Sequence, residues 1–273
     1  MNEQKKTAKV PFEKTKLSHI KNIIMVASGK GGVGKSTVAA SLALSLAREG
    51  YVTGLLDADI HGPSVPTLFN LNGRRPISME KEGKTWIKPF DCHGIKVISI
   101  GFFIDPSQSL LWRGPMVSNA LKQLLNDTDW GKLDYLVIDT PPGTGDVHLT
   151  LLQMYDITGA IVVTTPQTIA LDDVIKAIDM FNNKNVTVPV LGIVENMSWF
   201  TPVLHPDEKY FLFGKGGGAK LSETFSIPLI AQIPLNERIR ESCDKGSLDT
   251  LLQDKQTREI LSALVDNILS RQK

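Results

Sequence analysis

From residue 22 onward the chain alternates short apolar runs with longer stretches of helical period. Runs rich in β-branched residues cover Asn22–Ala27, Val52–Leu56, Ile95–Ile98, Tyr135–Ile138, Gly159–Val163, Val190–Val194 and Pro228–Ile233. Several are apolar on both faces, as strands covered by helices on each side must be. Helical patterns separate many of them, over Lys35–Arg48, Pro115–Leu125, Leu171–Phe181, Gly218–Thr224 and Thr257–Ser270. This alternation predicts an α/β fold, a mostly parallel twisted sheet with helices on both faces and right-handed crossovers. The first 20 residues depart from it. They are polar, carry Lys5, Lys6, Lys9, Lys14 and Lys16, and read as a flexible solvated arm over 1–20 ahead of a single domain over 21–273.

Composition narrows the function classes. A chain of 273 residues suits one large α/β domain, and 42% hydrophobic with 22% charged residues is an ordinary globular balance. Its 30 basic and 29 acidic side chains leave a formal net charge of +1, so no global field draws it to nucleic acid or an anionic membrane. Two cysteines, Cys92 and Cys243, cannot build a disulfide framework, which favours a reducing compartment. No apolar run approaches the roughly 18 residues of a membrane span, and Ile23–Ala27 is too short for a signal peptide. The expected location is the cytoplasm.

The sharpest chemical signal is Gly29-Lys30-Gly31-Gly32-Val33-Gly34-Lys35-Ser36-Thr37, which satisfies GxxxxGK[ST] between a predicted strand and a predicted helix. Glycines let backbone N–H groups turn inward around a triphosphate, and the following helix aims its positive end at the same anion. In this reading Lys35 holds the β and γ phosphates of ATP, Ser36 ligates Mg2+, and Thr37 bonds the α phosphate. Lys30 is a second lysine that its own loop does not need. It is free to reach a triphosphate held by a second subunit and to neutralise charge there as an arginine finger does, which predicts an ATP-dependent homodimer.

Two acidic segments complete the expected site. The run Val52–Leu56 leads into Asp57-Ala58-Asp59, whose carboxylates emerge at the carboxyl edge of the sheet on one side of the chain. Asp57 is assigned to the magnesium shell and Asp59 to the attacking water. Tyr135–Ile138 leads into Asp139, the expected Walker B acid that binds Mg2+ through water, and Pro141–Asp146 reads as a switch loop that moves when the γ phosphate leaves. Hydrolysis of ATP to ADP and phosphate then rests on Lys30, Lys35 and Asp59.

With these motifs in view, the loop and its extra lysine resemble the MinD/ParA class of P-loop ATPases. Further segments resemble the Mrp/ApbC branch of iron-sulfur cluster carriers: Asp57–Ser64, Trp112-Arg113-Gly114-Pro115-Met116, Asp139–Asp146, Glu195-Asn196-Met197-Ser198, and Phe213-Gly214 with Gly216-Gly217-Gly218. The resemblance implies an adenine contact for Asn196, a homodimer with ATP at its interface, and transfer of clusters to apo iron-sulfur client proteins. Members that carry a cluster place CxxC shortly after the segment matching Asn196-Met197-Ser198, giving four thiolates per dimer for a [4Fe-4S] cluster. Here Trp199–Tyr210 contains no cysteine. His205 reads as a loop histidine, and Cys92 and Cys243 as small buried hydrophobes.

Two other readings share the nucleotide site. A MinD- or ParA-like positioning ATPase would use it to bind membrane or DNA, and the apolar stripe Ile260, Leu261, Leu264, Val265, Ile268 and Leu269 would suit a lipid surface as well as a sheet. An electron-transfer reductase would need a cysteine just after the switch loop, where the chain has Val147-His148-Leu149.

Overall fold

The computed structural model describes residues 14–104, 114–183, 188–202, 204–205 and 207–272. Trp112 and Arg113, and the lysines at 5, 6 and 9, lie outside the described residues. The expected arm ends earlier than residue 20. The Thr15 N–H donates to the Met154 carbonyl at 2.7 Å and Leu17 is buried, so both belong to the domain.

The long apolar runs form strands because each can bury both faces. They are β1 (Ile20–Ser28), β2 (Thr53–Asp57), β6 (Ile95–Ser99), β7 (Leu133–Asp139), β8 (Gly159–Thr164), β9 (Val190–Phe200) and β10 (Leu229–Leu235). Two short strands, β3 (Ser78–Lys81) and β4 (Lys84–Ile87), make a separate hairpin, and β5 (Phe90–Cys92) runs antiparallel to β6. The main sheet has eight strands in the order β10-β9-β8-β1-β7-β2-β6-β5. All its described pairings except that of β5 are parallel. The parallel strands therefore deliver their carboxyl ends to one edge.

Alternation within β1 shows how the core divides. Ile23, Met25 and Ala27 join one apolar layer with the helices α3 (Gly114–Asn126), α4 (Asp146–Met154), α5 (Thr168–Phe181) and α6 (Gly217–Phe225). Ile24 and Val26 join the other, with α1 (Lys35–Arg48), α2 (Val65–Leu68) and α8 (Lys255–Leu269). The stripe on α8 is consumed by this packing: Leu261, Leu264, Val265 and Ile268 are buried against the sheet, which removes the lipid-facing surface a positioning ATPase would need. Among the described residues no helix is long and apolar enough to cross a membrane.

Sheet order fixes the site. β1 lies between β7 and β8; the crossover from β1 goes to β2 on one side and that from β7 goes to β8 on the other, and crevices in open α/β sheets form where crossovers reverse direction. Register then sets Asp57 of β2 directly beside Asp139 of β7, and Asp139 beside Val26 of β1.

Candidate functional site

The loop from Gly29 to Gly34 joins β1 to α1, and Lys35, Ser36 and Thr37 open the helix. Gly32 and Gly34 have φ of 81° and 80°, in the left-handed region that glycine enters without strain. Space forbids larger residues too: a Cβ on Gly34 would stand 2.2 Å from Asn196 Nδ2, and one on Gly29 2.3 Å from the Asp173 carbonyl carbon. No side chain caps the start of α1. Its first N–H groups face a cleft of about 270 Å3 bordered by Lys30, Lys35, Ser36, Thr37, Asp59 and Pro142. An uncapped helix start behind a glycine loop is an anion site by construction.

Beside the loop lies a buried charge cluster. The Lys35 ammonium donates to Asp139 Oδ1 at 2.5 Å and to Ser36 Oγ at 3.4 Å, and stands 3.9 Å from Asp59 Oδ2. Asp57, Asp59, Asp139 and Lys35 are all buried, so three carboxyl groups share one ammonium. Burial, then the neighbouring Asp139, pushes the Asp57 carboxyl up to about 8, against the opposing pull of the Asp59 N–H, the Ser99 hydroxyl and Lys35. Burial likewise raises Asp139, although Lys35 and Ser36 act to lower it. Asp139 Oδ2 has no hydrogen-bond partner. An orphaned carboxylate oxygen, a nearby serine hydroxyl and a surplus of buried carboxyls are the hard-oxygen donor set that Mg2+ takes.

Each acid also has a local task. Asp57 accepts from the Asp59 N–H at 3.0 Å, the Val65 N–H at 3.2 Å and the Ser99 hydroxyl at 2.9 Å, so it ties the segment after β2 to the start of α2. Asp59 accepts from the N–H groups of His61 and Gly62 at 3.2 and 3.1 Å. On the other wall Gly143, at φ 85°, donates to the Ser28 carbonyl at 2.8 Å and holds the segment Pro141–Asp146 against the loop. Lys30 is half-buried, with its ammonium 3.5 Å from Gln167 Oε1. Asn196 donates to the Val33 carbonyl at 2.8 Å, which braces the phosphate loop from within β9.

A family model described as the NUBPL iron-transfer P-loop NTPase matches residues 19–269 of this sequence. The chain belongs to that family. An iron-sulfur cluster carrier protein of Synechocystis is 48% identical over 250 residues, 89% of this chain and 70% of that protein. The corresponding carrier of Escherichia coli is 50% identical over 233 residues, covering 85% of this chain but 61% of its own length, so the chain spans only part of such relatives. A nucleotide-binding protein of Archaeoglobus fulgidus solved with ADP is 38% identical, with 90% and 93% of the two chains covered and a TM-score of 0.75. The P-loop NTPase fold follows from family and architecture alike.

Where the Mrp/ApbC resemblance implies a cysteine pair, Phe200 and Tyr210 form an antiparallel bridge. Phe200 and Tyr210 exchange backbone hydrogen bonds at 2.8 Å, Lys209 lies over the Trp199 ring, and Leu204, Tyr210, Phe211 and Leu212 are exposed. His205 is exposed there and pairs with Glu208 at 3.4 Å. The remaining thiols are elsewhere: Cys92 on β5, and Cys243 on α7 (Glu237–Lys245) with Sγ 3.6 Å from Thr37 Oγ1. Burial pushes both up, against the thiolate form a metal requires. Among the described residues no three His, Cys, Asp or Glu side chains gather as a metal centre. The residues present do not supply a four-thiolate cluster site.

The structure also gives contacts that the sequence pattern could not show. Ser99 steadies Asp57, and Gln167 holds Lys30. Glu195, buried, accepts from the Gly218 N–H at 2.6 Å and from Gln232 at 2.8 Å, so the glycine run at 216–218 is a packed helix start. His148, fully buried at the start of α4, lies beside the switch segment.

Proposed function

We propose that this chain is a Mg-ATP-dependent, homodimeric ATPase of the NUBPL type that serves the delivery of iron-sulfur clusters to apo client proteins in the cytoplasm. One observation carries the nucleotide half: the loop lysine Lys35 is stored on Asp139 behind an uncapped glycine loop, where an arriving triphosphate competes for it. Kinship with curated cluster carriers supports the cargo half, while the chain's two cysteines, Cys92 and Cys243, lie away from the segment where such carriers place their pair.

In this reading the N–H groups of Gly31–Thr37 cradle the phosphates and Lys35 swings from Asp139 to the β and γ oxygens. Ser36 and Asp57 would help hold Mg2+, with Asp139 acting on it through water. The bound ion supplies positive charge to the phosphate oxygens. Asp59 leaves the His61 and Gly62 N–H groups to orient the attacking water, and Asn196 faces the adenine side of the loop it braces. Lys30 leaves Gln167 for the partner subunit's γ phosphate, where it neutralises charge as that phosphoryl group departs.

Mixed dimers test this assignment. Lys30→Ala and Asp59→Ala each bind Mg-ATP but turn over slowly. Their mixture forms sites with Asp59 from one subunit and Lys30 from the other, and regains turnover that neither has alone. Activity no greater than the sum of the two separate variants contradicts action across the interface.

A further inference from the structure

His148 occupies the first turn of α4 with none of its surface exposed, and neither Nδ1 nor Nε2 has a hydrogen-bond partner among the described residues. Interiors rarely leave polar groups in this condition, since an unpaired buried donor or acceptor keeps its full desolvation cost. Burial, assisted by the charge of Lys35, holds this imidazole down to about 4. At neutral pH one ring nitrogen therefore carries a free lone pair. The ring borders a cavity of about 230 Å3 set between Ile60 and His61 on one side and Pro141, Pro142 and Asp146 on the other. Under the proposed function these are the two segments that answer to the γ phosphate.

The complementary need arises at Asp59. Its Oδ1 now accepts the His61 and Gly62 N–H groups, and a carboxylate that turns toward an attacking water releases both. Gly62 borders the phosphate cleft, whereas His61 borders the cavity of His148. We infer that His148 is a positioning residue whose unprotonated ring nitrogen takes over the His61 N–H when Asp59 engages the water. The exchange joins the two switch segments across the cavity only in the working state, and it satisfies a donor and an acceptor that would otherwise be left unpaired together. This rests on the role proposed above for Asp59.

Full-length His148→Leu and His148→Gln test it, with kcat, KM for ATP and ADP affinity measured for each. The leucine variant should lose roughly tenfold in kcat, the size of one good hydrogen bond, with KM and ADP affinity unchanged. Glutamine, whose amide oxygen accepts, should recover most of that loss. In the wild type the 15N signal of the unprotonated His148 nitrogen should shift to a hydrogen-bonded position with a non-hydrolysable ATP analogue and not with ADP. Wild-type kcat in the leucine variant, parallel loss of kcat and ADP affinity, a glutamine variant no better than leucine, or an unmoved ring signal would each overturn the inference. Full turnover in Asp59→Ala would instead remove the reading beneath it, which separates the two failures.

Discussion

The glycine loop and the acid cluster border the same cleft, yet the fold holds them by opposite means. The loop is positioned by backbone: left-handed glycines, close approach to Asn196 and Asp173, and an uncapped helix start. It stores little charge in its empty state beyond its two lysines. The cluster is positioned by side chains that burial disfavours, with Asp57 and Asp139 both raised and only Lys35 to offset them. A region set by backbone geometry is ready before its ligand arrives. A region set by buried charge is relieved by a cation, so the proposed function predicts that nucleotide and magnesium bind cooperatively.

The most damaging break lies in the backbone-held region. Gly34→Val places a β-branched residue at φ 80° and drives a Cβ into Asn196, so Mg-ATP affinity should fall by on the order of a hundredfold or more. Nucleotide titration followed by tryptophan fluorescence checks this, and wild-type affinity would show that the loop does not need its observed shape.

A smaller effect sharpens the contrast in the charge-held region. The folded state keeps the Asp57 proton up to about 8, while an unperturbed aspartate loses its proton near 3.8, so between these values the folded protein binds more protons than the unfolded chain. Stability is therefore greatest at the acidic end of that window and declines as pH rises through it. Asp57→Asn removes the ionisation, keeps the shape and should make the decline shallower, by roughly 3 °C or more in Tm at pH 8 relative to pH 5. Scanning calorimetry of the nucleotide-free protein across that range decides it, and equal slopes would show that Asp57 bears little of the strain.

Legibility followed the same division. GxxxxGK[ST] was readable because a phosphate loop demands specific residue types at fixed spacing, and the strand cores were readable because both faces are apolar. Strand ends were less so: β9 runs on to Phe200, carried past Val194 by pairing with β10 through register shifts. The β3–β4 hairpin escaped notice because its turn is Glu82-Gly83, both at positive φ, in place of the commoner Asn-Gly or Asp-Gly. Helix α4 was hidden because it starts within the segment read as a moving loop, and with it went His148. The sequence pattern points Asp57 toward magnesium. The structure shows the turn hydrogen bonds, and the same carboxyl sits beside Asp139.

Calorimetric titration of Mg-ATP into the purified wild type, alongside Lys35→Ala, addresses the central claim most directly. The account predicts saturable binding to the wild type, released protons as buried carboxyls ionise around magnesium, and no measurable binding to the variant. A wild type that shows no saturable heat, or a variant that binds equally well, contradicts it.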